Sequence, residues 1–185
     1  MKAVLLSIRP KWCGLIASGK KTIEVRKTAP KIKTPFKCYI YETKGKVERS
    51  RGEENGYIYQ EGRSAVVGEF LCDRIEITNC FSGWVCPEKN NIIKRFLDGS
   101  CLSEREIVNY ADGRAVCGWH ISELKIYDKP RELSGFRRPC ENDLYCESCG
   151  MYTEYTETCG NAALYLRRPP QSWCYVEEVD GRARI

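Results

Sequence analysis

The stretch Gly19-Lys20-Lys21-Thr22-Ile23-Glu24-Val25-Arg26 spells G-x-K-x-x-E-x-R where one hydrophobic period gives way to another. Upstream, Trp12, Leu15, Ile16 and Gly19 recur at i, i+3, i+4 and i+7, the spacing of a helix with one inward face. Pro10 suits the first helical position, because its ring presets φ and its missing N–H would have no partner there. The spacing predicts a helix over 10–18 closed by Gly19, which adopts a left-handed conformation without a Cβ clash. Downstream, alternation predicts a strand over 22–27. Period two places Ile23 and Val25 on one face and Thr22, Glu24 and Arg26 on the other, with Lys21 at the turn above them. A cation, an acceptor and a bidentate donor converge there. The plain alternative is a solvated strand face whose charges serve solubility alone.

Taken with the neighbouring runs S-I-R-P-K-W (7–12), K-C-Y-I-Y-E (37–42) and V-V-G-E-F-L-C-D-R-I (66–75), this motif resembles the ASCH domain family, a branch of the PUA-like β-barrels. The likeness runs over residues 1–80. It implies an α+β fold: a small PUA-like mixed β-barrel with a few peripheral helices, its cleft lined by the motif and used for RNA or modified bases. Carried over position by position, the signature falls on Gly19, Lys21, Glu24 and Arg26, with Arg9, Lys11 and Trp12 at the cleft mouth. One branch of the family resembles a hydrolase of acylated cytidine that uses a Lys, a Thr and a distant Glu. Its Lys matches Lys21, but the Thr position three residues on holds Glu24, and the distant Glu has no evident counterpart. Binding is therefore the leading expectation. The alternative is a small amidohydrolase acting on an acylated nucleoside such as N4-acetylcytidine, with Lys21 and Glu24 as its catalytic residues.

The charge distribution agrees with a polyanionic partner. Residues 1–37 hold ten Lys and Arg against the single acid Glu24, a formal +9, while the remainder carries twenty basic and twenty-four acidic residues, a formal −4. Phosphate contacts from such a patch supply affinity without sequence information, so pocket contacts must supply selectivity. RNA or a modified nucleotide is the expected partner, with DNA as a second option and a protein partner as a third. The bland reading of 27–37 is a solvated lysine-rich loop. With 30% charged and 42% hydrophobic residues, the 185-residue chain has ordinary globular composition, which argues against disorder. A single domain over 1–185 is expected. No secretory signal stands at the start, since the apolar run 3–8 meets Arg9, Pro10 and Lys11 at once, and no segment approaches the ~20 apolar residues of a membrane span. A cytoplasmic protein without disulfides is expected, because the cytosol keeps thiols reduced. Most of the twelve cysteines, among them Cys13, Cys38, Cys72, Cys80, Cys101, Cys117 and Cys174, read as small core hydrophobes.

Cys140, Cys146, Cys149 and Cys159 stand apart. Cys146 and Cys149 are in C-x-x-C spacing with Gly150 directly after, so two thiolates can reach one ion and two more can complete a tetrahedral structural zinc site. Reduced cysteines on a loop and an iron–sulfur cluster are the alternatives, the cluster disfavoured because its cysteines usually crowd closer. The segment 137–168 reads as a Cys-rich insertion before the last barrel strand.

Alternation predicts strands over 3–8, 38–41, 65–77, 115–127 and 173–178, and the helical period predicts helices over 87–97 and 103–110. The first of these helices presents Ile92, Ile93, Phe96 and Leu97 on one face. The second opens with S-E-R-E, a capping box of Ser103 and Glu106. The Gly-, Glu- and Arg-rich stretch 42–63 predicts a mobile loop over one barrel end, in which 57–59 can pair as a short strand. His120, the only histidine, alternates within a strand and reads as a packed residue, so histidine-based catalysis is not expected. No phosphate-cradling loop of the G-x-x-x-x-G-K-[S/T] type is present. In the expected complex Trp12 offers a stacking face if it is not committed to the core, Glu24 accepts from an amino edge, and Lys21 and Arg26 hold a phosphate or a base carbonyl.

Overall fold

Residues 3–6 (Ala-Val-Leu-Leu) are apolar without a break, as suits a strand covered on both faces, and in the computed structural model they lie in a fully flanked strand, β1 (Lys2–Ile8). The structure describes residues 1–45, 50–51, 57–58, 62–79, 81, 89–140, 152–153, 158–159 and 161–179, with backbone alone at 50–51, 57–58, 89–90, 152–153 and 158–159. β1 runs parallel to β3 (Phe36–Glu42) and antiparallel to β10 (Trp173–Glu177). β6 (Ala65–Thr78) pairs antiparallel with β3, β7 (Val116–Arg131) with β6, and β2 (Ile23–Arg26) with β7. The order is β10-β1-β3-β6-β7-β2. Two short hairpins stand outside this sheet: β4 (Ser50–Arg51) with β5 (Tyr57–Ile58), inside the stretch read as a loop, and β8 (Tyr152–Thr153) with β9 (Thr158–Cys159).

Alternation along β1 divides the interior. Val4, Leu6 and Ile8 join Phe36, Cys38, Ile40, Phe70, Cys72 and Trp119 in one core, while Ala3 and Leu5 join Tyr39, Tyr41, Val66, Phe136 and Val176 in another. Cys13, Cys38, Cys72 and Cys117 are buried thiols, as expected of small hydrophobes, and burial raises the pKa of each. Cys101 and Cys174 are half-buried, and Cys80 lies outside the described residues.

The expected α+β class holds, as a six-stranded sheet with three α-helices among the described residues, but the sheet does not close into the expected, partly closed barrel. Among the described residues no backbone ladder joins the edge strands β2 and β10. The reason lies in the edge itself. β2 is four residues long, and Arg26 sends its guanidinium across the gap, donating to Ser7 O at 2.9 Å and Ser172 Oγ at 3.3 Å. Beyond Arg26 the chain meets side chains of β10: Trp173 Nε1 donates to Thr28 Oγ1 at 3.0 Å, and the Lys31 backbone N–H to Tyr175 Oη at 2.6 Å. Side chains bridge the slot where a barrel would have a ladder.

α1 (Pro10–Ala17) carries its proline in the first turn, and the Ser18 and Gly19 N–H groups close it on Gly14 O and Ile16 O, Gly19 at φ +72°. α2 (Lys89–Ser100) ends three residues beyond the predicted 97, while the predicted start at 87–88 lies outside the described residues. α3 (Glu104–Ala111) opens on the predicted box: Ser103 Oγ accepts from the Glu106 N–H at 3.3 Å, and Glu106 Oε2 accepts from the Ser103 N–H at 2.8 Å. Phe96, Ile92, Ile93 and Leu97 pack with Ile107 and Ala111 over Ile23 and Val25. Gly118 permits this approach. A Cβ there would stand 2.8 Å from Phe96 Cζ and 3.0 Å from Ile23 Cγ2. Near the ends of the Cys-rich segment, Arg137 bridges to Tyr165, and Phe136 and Leu166 are both buried.

Candidate functional site

In the ladder of β2 and β7, Glu24 stands opposite Trp119 and Arg26 opposite Cys117, while Ile23 faces His120 and Val25 faces Gly118. Directly opposed residues share a face, so Glu24 and Arg26 point with Trp119 toward the first core, at the slot beside β1 and β10. The charges predicted to converge do so: Lys21 Nζ lies 3.3 Å from Glu24 Oε2, and Arg26 NH2 lies 3.0 Å from Glu24 Oε1. What differs from expectation is their exposure. Lys21, Glu24 and Arg26 are 3%, 7% and 8% exposed, which removes the solvated-face alternative. The ammonium of Lys21 also donates to Ile23 O at 2.9 Å and Ser100 O at 2.8 Å. Three oxygens, from Ile23, Ser100 and Glu24, thus lie within 3.3 Å of Lys21 Nζ. Arg26 Nε and Trp119 Nε1 are buried donors with no hydrogen-bond partner among the described residues.

The surface beside this cluster is aromatic and basic. Trp12 is half-buried, packed against the first core on one side, with Lys11 Nζ 4.7 Å and Lys21 Nζ 5.3 Å from its ring centroid. It is thus both the core residue and the surface aromatic that its spacing allowed. Arg9 and Lys11 are exposed. Tyr110 of α3 was not legible as a site residue. Its ring lies 5.4 Å from Lys27 Nζ, and its phenol pKa is raised by burial, with the field of Arg26 opposing and that of Glu24 adding. The signal was present in α3: Ile107 and Ala111 mark its buried side, and Tyr110 sits on the flank.

On the opposite face of β2 a cleft of about 500 Å³ opens between α2 and the β2–β7 ladder, lined by Thr22, Ile23, Asn91, Lys94, Arg95, Asp98, Gly99 and His120. Thr22, expected on the face of Glu24 and Arg26, precedes the strand and lies here instead. His120 is packed and hydrogen-bonded, as its strand position suggested. Arg74 NH2 lies 3.2 Å from Nδ1 and 3.4 Å from Nε2, and Nε2 stands 3.5 Å from Glu76 Oε2. Burial and the Arg74 guanidinium hold the imidazole below its ordinary range, against Glu76. Glu76 also accepts from Arg95.

Of the four cysteines read as metal ligands, Cys140 is a half-buried free thiol, Cys146 and Cys149 lie outside the described residues, and Cys159 is described only as backbone of β9. Among the described residues no three His, Cys, Asp or Glu side chains gather as a metal site would require, and no helix is long and apolar enough to cross a membrane.

Comparison with solved structures places the fold. The chain is similar to ASCH from Zymomonas mobilis, with 18% identity and a TM-score of 0.57, over 95% of this chain and 88% of that one. Two single-substitution mutants of the same protein align with TM-scores of 0.58 (18% identity, 95% and 89% covered) and 0.51 (20% identity, 72% and 77% covered). No curated protein gives a significant sequence match. A family model for the ASCH domain matches residues 6–176, the sheet and the motif included, and the chain therefore belongs to the ASCH domain family, a PUA-like family often linked to RNA binding.

Proposed function

We propose that the protein binds single-stranded RNA or a modified base at the mouth formed by Trp12, Lys11, Arg9, Tyr110 and Lys27. The observation that carries this reading is the half-exposed indole of Trp12 with two ammonium groups within 5.3 Å of its ring centroid. A base stacks on such a ring while neighbouring cations take its phosphates. Beneath it, the G-x-K-x-x-E-x-R residues Gly19, Lys21, Glu24 and Arg26 form the charged floor that holds the mouth in shape. The amidohydrolase alternative is less well supported, because Glu24 stands where that branch carries its Thr, with its carboxylate 3.3 Å from Lys21 Nζ. Fluorescence anisotropy with short single-stranded RNA, and with DNA and duplex controls, tests the reading at two salt concentrations. Trp12→Ala is expected to weaken binding by about 1–3 kcal/mol. Lys11→Ala is expected to reduce the slope of log affinity against log salt by about 0.7. A wild-type protein that binds no oligonucleotide even at low salt overturns it.

A structural zinc on Cys140, Cys146, Cys149 and Cys159 belongs to the same proposal. Thiolates in C-x-x-C spacing suit that ion, which would tie the Cys-rich segment together without entering the chemistry of the mouth. Elemental analysis of the purified protein should find about one zinc per chain, lost in Cys146→Ser. Purified protein free of zinc, and unable to take it up, excludes the site.

A further inference from the structure

The period that buries Ile92, Ile93, Phe96 and Leu97 sets Asn91, Lys94, Arg95 and Asp98 at i, i+3, i+4 and i+7, a polar stripe along the other side of α2. That stripe faces Thr22, Ile23 and His120 across the cleft of about 500 Å³. We infer that this cleft is a second ligand site, separate from the mouth at Trp12, which takes a phosphate monoester bearing neighbouring hydroxyls, such as a nucleoside 5′-monophosphate or a pentose phosphate.

The volume falls within the range of small-molecule sites and is too large for a bare anion. The lining is directional. Asn91, Lys94 and Arg95 are donors gathered at one end, and Asp98, an acceptor without an ion pair among the described residues, stands a turn further along. From Asn91 to Asp98 the helix rises by about 10 Å, comparable with the reach from the phosphate to the far hydroxyls of a pentose phosphate. Arg95 is anchored by Glu76, so its remaining hydrogens are presented from a set position. Arg95 is paired with Glu76, so Lys94 and Asp98 set the charge at the two ends of the lining. Thr22 adds an exposed hydroxyl and Ile23 an apolar floor. Because alternation on β2 sends Ile23 and Glu24 to opposite faces, the cleft and the charged cluster stand back to back, and the inference does not depend on the reading of the mouth.

Isothermal titration calorimetry on the full chain with adenosine 5′-monophosphate, ribose 5-phosphate, adenosine and inorganic phosphate decides the matter. Both phosphorylated sugars are expected to bind, with adenosine at least about tenfold weaker. Lys94→Ala should cost about tenfold in affinity for both. Asp98→Asn should weaken ribose 5-phosphate and leave inorganic phosphate unchanged, and Trp12→Ala should alter none of these. A nucleotide preference over ribose 5-phosphate would assign the base to the apolar floor, and equal affinity would assign the site to pentose phosphates generally. Adenosine binding as tightly as its monophosphate, no loss in Lys94→Ala, or indifference of every probe to Asp98→Asn each overturns the site. Lys94 and Asp98 are exposed, so the variants fold. Loss of oligonucleotide binding in Trp12→Ala with these titrations intact would uphold the mouth and the cleft as independent sites.

Discussion

Glu24→Ala is expected to destabilise the protein by about 3–5 kcal/mol, measured as a fall in the urea midpoint at unchanged slope. Among the described residues the carboxylate is the only anion paired with these two buried cations, at 3.3 Å from Lys21 Nζ and 3.0 Å from Arg26 NH2. Removing it leaves both charges in a medium that solvates them poorly. The carbonyls of Ile23, Ser100 and Ser7 and the hydroxyl of Ser172 remain, but neutral dipoles do not replace a counter-charge. Glu24→Gln should cost less, since one oxygen still accepts. Replacing all three residues together, as Lys21→Met, Glu24→Leu and Arg26→Met, should recover much of the loss, because a packed apolar set avoids the desolvation of three charges. If Glu24→Ala stays within about 1 kcal/mol of wild type, the cluster is screened by water in the manner of surface pairs, and its reading as a buried floor fails. The prediction bears directly on function. Loss of nucleic-acid binding in Lys21→Ala or Glu24→Ala would report a collapsed floor as readily as a missing contact, so Trp12 and Lys11 are the residues that test the mouth.

Trp119→Ala should cost about as much, 3–5 kcal/mol, for a different reason. The side chain is 0% exposed at the centre of the first core, its ring centroid 5.8 Å from Phe36 in an edge contact and 5.9 Å from Trp173. Deletion opens a cavity where β7, β3 and β10 meet, and Trp173, which joins β10 to Thr28, loses its backing. Trp119→Phe is the informative partner. It retains most of the ring contact and removes an indole N–H that has no acceptor among the described residues, so its cost should be well under half that of Trp119→Ala. A Phe variant as unstable as the Ala variant would show that the N–H is satisfied in solution, and that hydrogen bonding dominates at this position. Thermal or urea unfolding of the two variants side by side separates these outcomes.

Much of the scaffold is written locally. Pro10 and the spacing of Trp12, Leu15 and Ile16 mark α1, Ser103 and Glu106 mark the start of α3 through bonds spanning three residues, and the alternation of Ile23, Glu24, Val25 and Arg26 sorts β2 into two faces. The grouping of Lys21, Glu24 and Arg26 followed from that alternation too. Their burial did not, because period two says which residues share a face and is silent on what covers it. The barrel expectation failed for a related reason: ladder closure depends on how two distant edges meet, and here Arg26 occupies the acceptors between them. Tyr110 and the stripe from Asn91 to Asp98 went unnoticed because each is an ordinary polar flank of an amphipathic helix until a second element stands across from it. Caps, turns and hydrophobic periods act within about one helical turn of chain and were therefore open to reading in the residues alone. Whether Lys21, Glu24 and Arg26 would meet water or one another was settled by Ser7, Ser100 and Ser172, lying as far as 146 positions away, and by the packing of α2 over β2. Desolvation is a property of the assembled neighbourhood, and no short window of residues contains it.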